Sequence, residues 1–213
     1  MMMNRRTLTR IAGAAALAAA VATPSFAADL APDAMVLKVS GETLAAIKAD
    51  RALQGGDINK IIALVDSKVM PHVDFARMTA SAVGPAWRNA TPAQKGQLQQ
   101  EFKRLLVRTY AGAFNAVGNR EVKVLPMRAG SAGANDVVVR SQLVGSGDPV
   151  SLDYRLTRTP GKGLGWKAYN LNIGGVWMID SYKQQFAQEV NTKGIDGLIA
   201  TLAAKNKSNA GGK

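Results

Sequence analysis

The chain of 213 residues has no cysteine and a single histidine, His72. The first absence rules out disulfides and removes the thiolate ligands of structural zinc, so the fold rests on burial alone. The second leaves a Ser-His-Asp triad one candidate base. No Gly-x-Ser-x-Gly elbow accompanies it, and His72 follows Pro71 in a helix-breaking segment, which reads as a cap or surface position. Acidic residues are scattered, without a spacing that would converge two or three oxygen ligands on a metal. Gly145-Ser146-Gly147 is glycine-rich but is not followed by a helix, and a phosphate loop needs that helix N-terminus. Beyond residue 27 no apolar stretch is long enough to span a bilayer, and Lys and Arg form no block of five or six.

What is present begins with Arg5, Arg6 and Arg10, an uncharged Ala-rich run from Ile11 to Val21, and then Thr23-Pro24-Ser25-Phe26-Ala27. This is the basic, apolar and small-residue order of a cleaved signal peptide over residues 1–27, with the mature chain expected to start at Ala28. Arg5-Arg6 before Thr7-Leu8 leaves both the general and the twin-arginine export routes open. Without residues 1–27, three of the 27 basic residues and none of the 15 acidic ones are lost, leaving a net charge of +9. That balance fits either a surface meeting anionic groups or general solvation, and export makes nucleic acid the weakest partner.

The length after residue 27 fits one domain, expected over residues 28–204. Apolar residues at helical spacing from Asp33 to Leu53 stop at Gly55-Gly56, and Asp57 caps a second helix that carries Ile58, Ile61, Leu64, Val65 and Val69 and ends at Pro71. A short helix through Met78 and Val83 stops at Gly84-Pro85. Thr91-Pro92-Ala93-Gln94 then forms a capping box with proline at the first helical position. The long helix behind it has an apolar stripe of Leu98, Phe102, Leu105, Leu106, Tyr110 and Phe114.

After Gly118 the period changes to two, predicting strands at Glu121–Met127, Asp136–Val144, Val150–Thr159 and Leu164–Ile173. Gly130 with Gly133, Gly145–Pro149 and Pro160–Gly163 mark the turns. Leu152, Tyr154 and Leu156 alternate with Asp153 and Arg155, so one face of the sheet is covered. Helical spacing returns through Ile179, Tyr182, Phe186 and Val190, then Ile195, Leu198, Ile199 and Leu202, and residues 205–213 read as a disordered polar tail. The pattern predicts an α+β domain in which a curved four-stranded antiparallel sheet wraps a helical layer.

Apolar surface is plentiful at Phe102, Leu106, Tyr110, Phe114, Leu152, Tyr154, Leu156, Trp177, Tyr182 and Phe186. Periodicity alone leaves open whether that surface meets protein or ligand. An Asp153–Asp180 hydrolytic pair stands beside the plainer reading of Asp153 as a solvated partner of a basic neighbour.

Several ordered fragments carry a resemblance: Pro71-His72-Val73-Asp74-Phe75; Val83-Gly84-Pro85-Ala86-Trp87-Arg88 leading to Gln94 and Phe102; Leu106 with Thr109-Tyr110-Ala111; and Val150 to Arg155. They continue with Trp166-Lys167-Ala168-Tyr169-Asn170, Gly175-Val176, Tyr182 to Phe186 and Gly194 to Ile199. Jointly they resemble the MlaC, or toluene-tolerance, family of periplasmic phospholipid-transport proteins. Asn170, Trp177 and Lys183 depart from the Asp, Ser and Arg that similar chains often carry.

The resemblance implies a cone-like, nuclear-transport-factor-type domain with a deep apolar pocket. Its walls would be the ten residues above together with Val139 and Leu143 of the second strand, and Trp177 would narrow its mouth. It further implies a monomer that uses no cofactor, carries a phospholipid as cargo and catalyses no reaction. Its partners would be an inner-membrane ABC transporter complex with a membrane-anchored substrate-binding subunit and an outer-membrane lipoprotein complex, in a system that maintains outer-membrane lipid asymmetry. A hopanoid carrier, a cone-fold enzyme and a closed interaction module are the alternatives.

Overall fold

The computed structural model describes residues 29–115, 117–128 and 133–211. The expected signal peptide, the start at Ala28, Gly130 and residues 212–213 lie outside the described residues.

Most of the early helices begin where an acidic side chain satisfies free backbone donors. The single helix expected from Asp33 to Leu53 is two, α1 (Pro32–Ala49) and α2 (Arg51–Gln54). Asp50 leaves helical geometry between them, and its carboxylate accepts from Ala52 N at 2.8 Å, so the residue ends one helix and caps the next. Asp57 caps α3 (Ile58–Leu64) through Asn59 N and Lys60 N. The second helix does not run to Val69 in regular form. A wide π-helical turn over Val65–Val69 and a 3-10 turn over Met70–His72 replace its last part. Ser67 Oγ donates to Ala63 O and Leu64 O there, and Pro71 has no N–H to continue the ladder.

Asp74 caps α4 (Phe75–Val83) by accepting from Arg77 N, and a 3-10 turn over Gly84–Asn89 leads to α5 (Pro92–Tyr110). The Thr91–Gln94 capping box is complete, with Gln94 N donating to Thr91 Oγ1 and Thr91 N donating to Gln94 Oε1. The one-turn α6 (Gly112–Asn115) follows.

The sheet is an antiparallel meander in the order β1 (Glu121–Val124), β2 (Asp136–Val144), β3 (Val150–Arg158), β4 (Trp166–Ile173) and β5 (Val176–Trp177). It has five strands where four were expected, because a two-residue strand is too short to show alternation. Val137, Val139 and Ser141 stand opposite Leu156, Tyr154 and Leu152, which places all six on one face. On β4, Leu171 and Ile173 lie opposite Tyr154 and Leu152, but the register slips between Arg155 and Leu156. Tyr169 is the extra residue, and such a bulge bends and twists the strand that carries it.

The final helix, α7 (Met178–Gly211), is broken at Gly194, whose φ of 69° and ψ of −173° are not helical. Residues 205–211, expected as disordered tail, continue the helix. Asn206 is buried there, and its amide donates to Glu101 O and Oε2 at 2.9 and 2.7 Å.

Three apolar clusters make up the interior. Phe75, Met78, Leu98, Phe102, Ile179 and Phe186 join α4, α5 and α7. Ile47, Leu53, Ile61, Leu64 and Val107 join α1, α2, α3 and α5. Met35, Val36, Val137, Val139, Leu156 and Trp166 seat the start of α1 on the sheet.

Candidate functional site

Where the three clusters meet they do not close on one another, and an apolar cavity of about 350 Å³ lies between them. That volume falls within the range of small-molecule sites, about 300–1,000 Å³. The sheet contributes Leu152 and Tyr154 from β3 and Ala168, Leu171 and Ile173 from β4. Helices α5 and α6 contribute Leu106, Val107, Tyr110 and Phe114. The opposite wall is built by Ile61, Val65, Val69, Met70 and Val73, with Phe75 and Met78 below. The irregular stretch from Val65 to Val73 is thus one wall of the cavity. It is tied to the sheet by a bridge between Val73 and Ala168 and by Asp74 N donating to Ala168 O at 2.8 Å.

Polar side chains around the lining are turned away from the space they border. Thr43 Oγ1 donates to Val39 O at 2.7 Å, and Lys103 Nζ to Asp66 Oδ1 at 2.7 Å. Asn170 Oδ1 accepts from Leu171 N and Ile179 N at 2.9 and 3.2 Å, and Tyr154 shares a 3.2 Å hydrogen bond between its hydroxyl and Ser40 Oγ. Burial pushes the Tyr154 phenol above its ordinary 10.0, with the Ser40 and Ser141 hydrogen bonds pulling the other way, so it stays neutral. The cavity therefore shows methyl, methylene and ring surface, which favours hydrocarbon and offers water no adequate set of partners.

Of the twelve wall residues expected from the sequence, the structure places Leu106, Tyr110, Phe114, Leu152 and Tyr154 on the cavity. Phe102, Tyr182 and Phe186 instead form a group of edge-to-face and tilted rings with Phe75, at centroid separations of 5.0 to 5.9 Å, and of these four only Phe75 reaches the lining. Val139 and Leu156 are fully buried against α1. Leu143 is half-buried opposite Val122 and Val150. Trp177 stands outside the lining on β5, with the Arg155 guanidinium 4.0 Å over its ring. In the sequence the wall from Ile61 to Met78 has the spacing of ordinary helix core on either side of the break at Pro71. Its one sequence signal was the Pro71–Phe75 fragment, because apolar spacing does not distinguish a packed neighbour from a void.

The two carboxylates of the alternative hydrolytic pair are engaged in other contacts. Asp180 sits between Lys183 Nζ at 2.7 Å and Arg155 at 3.3 Å, and these partners, Lys183 first, hold its carboxyl below the usual range, so it is not poised to give up or take a proton near neutrality. Asp153 accepts weakly from Ser141 N at 3.4 Å rather than from a basic neighbour. Among the described residues, no three His, Cys, Asp or Glu side chains are grouped to hold a metal, and no helix is long and apolar enough to cross a membrane.

With that geometry in view, likeness to known proteins is specific. A crystal structure of a phospholipid-binding protein from Ralstonia solanacearum in complex with a phospholipid, at 1.53 Å resolution, superposes with a TM-score of 0.78 at 44% identity, covering 84% of this chain and 98% of that one. The intermembrane phospholipid transport system binding protein MlaC of Haemophilus influenzae is 21% identical over 188 residues, 87% of either chain. Toluene tolerance protein ttg2D of Pseudomonas putida is 26% identical over 166 residues, covering 78% of this chain and 75% of that protein. The family model described as MlaC protein matches residues 37–204, a span that contains every cavity-lining side chain named above, and the chain belongs to the MlaC family.

Proposed function

We propose that this protein is a periplasmic phospholipid carrier that holds acyl chain in the apolar cavity, keeps the head group at the solvent boundary and passes the lipid between an inner-membrane ABC transporter complex and an outer-membrane lipoprotein complex, without catalysing a reaction. The observation that carries the reading is the cavity itself, whose polar lining residues all have their hydrogen bonds directed elsewhere or, like Tyr110, present a ring. The family membership and the phospholipid in the Ralstonia relative support the identity of the cargo.

Physical magnitudes explain why a carrier is needed. Each buried methylene is worth about 0.8 kcal/mol, so exposing a chain of about 16 carbons to water costs on the order of 10 kcal/mol. An apolar cavity removes most of that barrier while remaining near isoenergetic with a bilayer. Direction then comes from differences in affinity between partners or from energy expended by one of them.

The test is lipid extraction and mass spectrometry of protein purified from the periplasm, with uptake from vesicles measured in parallel. Co-purified phospholipid, and its exchange with vesicles, is the expected result. Protein that carries no lipid and takes none up would overturn the reading.

A further inference from the structure

Lys103 is the one charged residue on the cavity lining among the described residues. Its position on α5 follows from helical spacing, since Leu106, Val107 and Tyr110, three, four and seven positions on, share its face. The aliphatic stem adds to the apolar wall, while the ammonium reaches outward to Asp66 Oδ1 at 2.7 Å. The Lys103 side chain is 26% exposed and Asp66 45% exposed. A residue that touches both the cavity and solvent marks where the two meet.

We infer that Lys103 is the anchor for a phosphodiester oxygen of the bound lipid, with Asp66 serving as its stand-in counterion when the cavity is empty. This rests on the carrier reading above and adds to it the group that recognises the phosphate. A glycerophospholipid whose tails occupy the cavity must present its phosphate at the opening, because an ion desolvated inside the apolar wall would be far more costly. At that opening the lining supplies one cation. An ammonium-to-carboxylate pair this exposed is weak, so exchanging Asp66 for a phosphate oxygen replaces one charge-assisted hydrogen bond with another. Asp66 lies in the π-helical turn Val65–Val69, whose Val65 and Val69 line the cavity, so the counterion belongs to a wall that the tails themselves contact.

The experiment measures uptake, from vesicles doped with either a phosphatidylglycerol or the matching diacylglycerol, by the full chain and by K103M, K103R and D66N. Circular dichroism and thermal melts accompany each variant. The wild type is expected to prefer the phospholipid, and K103M, which keeps an apolar stem, to lose about tenfold more in phospholipid affinity than in diacylglycerol affinity. K103R should retain the preference. D66N, which frees the ammonium, should increase it.

An unchanged phospholipid-to-diacylglycerol ratio in a folded K103M that still takes up lipid would overturn the anchor and leave the carrier standing. Failure of the wild type to take up either lipid would overturn the carrier and the anchor with it. Inorganic phosphate titrated against lipid-free protein separates the two sources of the anion. Binding without tails that K103M abolishes would assign the site to free phosphate and overturn the lipid assignment.

Discussion

The side-chain oxygen of Asn170 accepts the backbone N–H of Ile179 at 3.2 Å, so a residue on β4 caps the first turn of α7 nine positions further on. The same oxygen accepts from Leu171 N at 2.9 Å, and Asn170 is 4% exposed. Replacing it with alanine leaves buried donors without a partner. Asn170→Ala is expected to lower unfolding free energy by about 1–2 kcal/mol in urea titrations. Asn170→Asp keeps an acceptor beside a helix N-terminus and should be close to wild type. Equal stability of the alanine variant and wild type would show that the cap is not holding α7.

Neighbouring positions on one strand should fail in different ways. Leu152 borders the cavity, whereas Leu156 is fully buried against α1. Leu152→Asp is therefore expected to yield folded protein whose lipid occupancy, by extraction and mass spectrometry, falls by roughly tenfold or more. Leu156→Asp should cost about 4 kcal/mol or more and give little folded protein. Asp153→Asn, on the other face, should change neither. Normal occupancy in Leu152→Asp would place the acyl chains elsewhere.

Gly194 adopts φ 69° and ψ −173°, a region essentially restricted to glycine. An added Cβ would meet nothing within 4 Å, so the cost of a substitution is conformational rather than steric crowding. Gly194→Ala is expected to destabilise the protein by about 1–3 kcal/mol. Thermal and chemical denaturation provide the check, and a neutral result would mean that the two halves of α7 can join without strain.

His72, adjoining the wall residues Val73 and Met70, has its imidazole pKa held below the ordinary 6.5 by burial first, with Glu42 pulling it up and Lys167 and Lys38 pushing it down. Because the folded value is below the unfolded one, the unfolded chain takes up the proton first as the pH drops. Stability from this group is thus complete above pH 6.5 and is lost as the pH falls from there through the folded value. As the only histidine, its ring protons are readily followed by NMR. A midpoint at or above 6.5, or an identical pH dependence of stability in His72→Gln, would contradict this.

Legibility followed the range of the interaction responsible. The Thr91–Gln94 box, the Asp57 cap and the starts of β1 to β3 are set by residues within a few positions of each other, and each was readable. Strand β5 was missed because two residues cannot show a period, and the helical tail because Asn206 is held by Glu101, 105 positions away. Of the wall residues read from α5, α6 and β3, those whose stripe faces the gap border the cavity and the others do not. Phe102 is on the same stripe as Leu106, but its ring turns into the group made with Tyr182 and Phe186 from α7.

The amino-acid order alone therefore determined the main succession of helices and strands, the caps at Asp57 and Thr91 and the apolar face of the longer elements, since these depend on spacings of two to four residues. Only the folded arrangement decided that three apolar clusters stop short of one another and leave a cavity. That outcome depends on the bulge at Tyr169, the π-helical turn at Val65–Val69 and the bridge between Val73 and Ala168, which set distances between elements far apart in the chain.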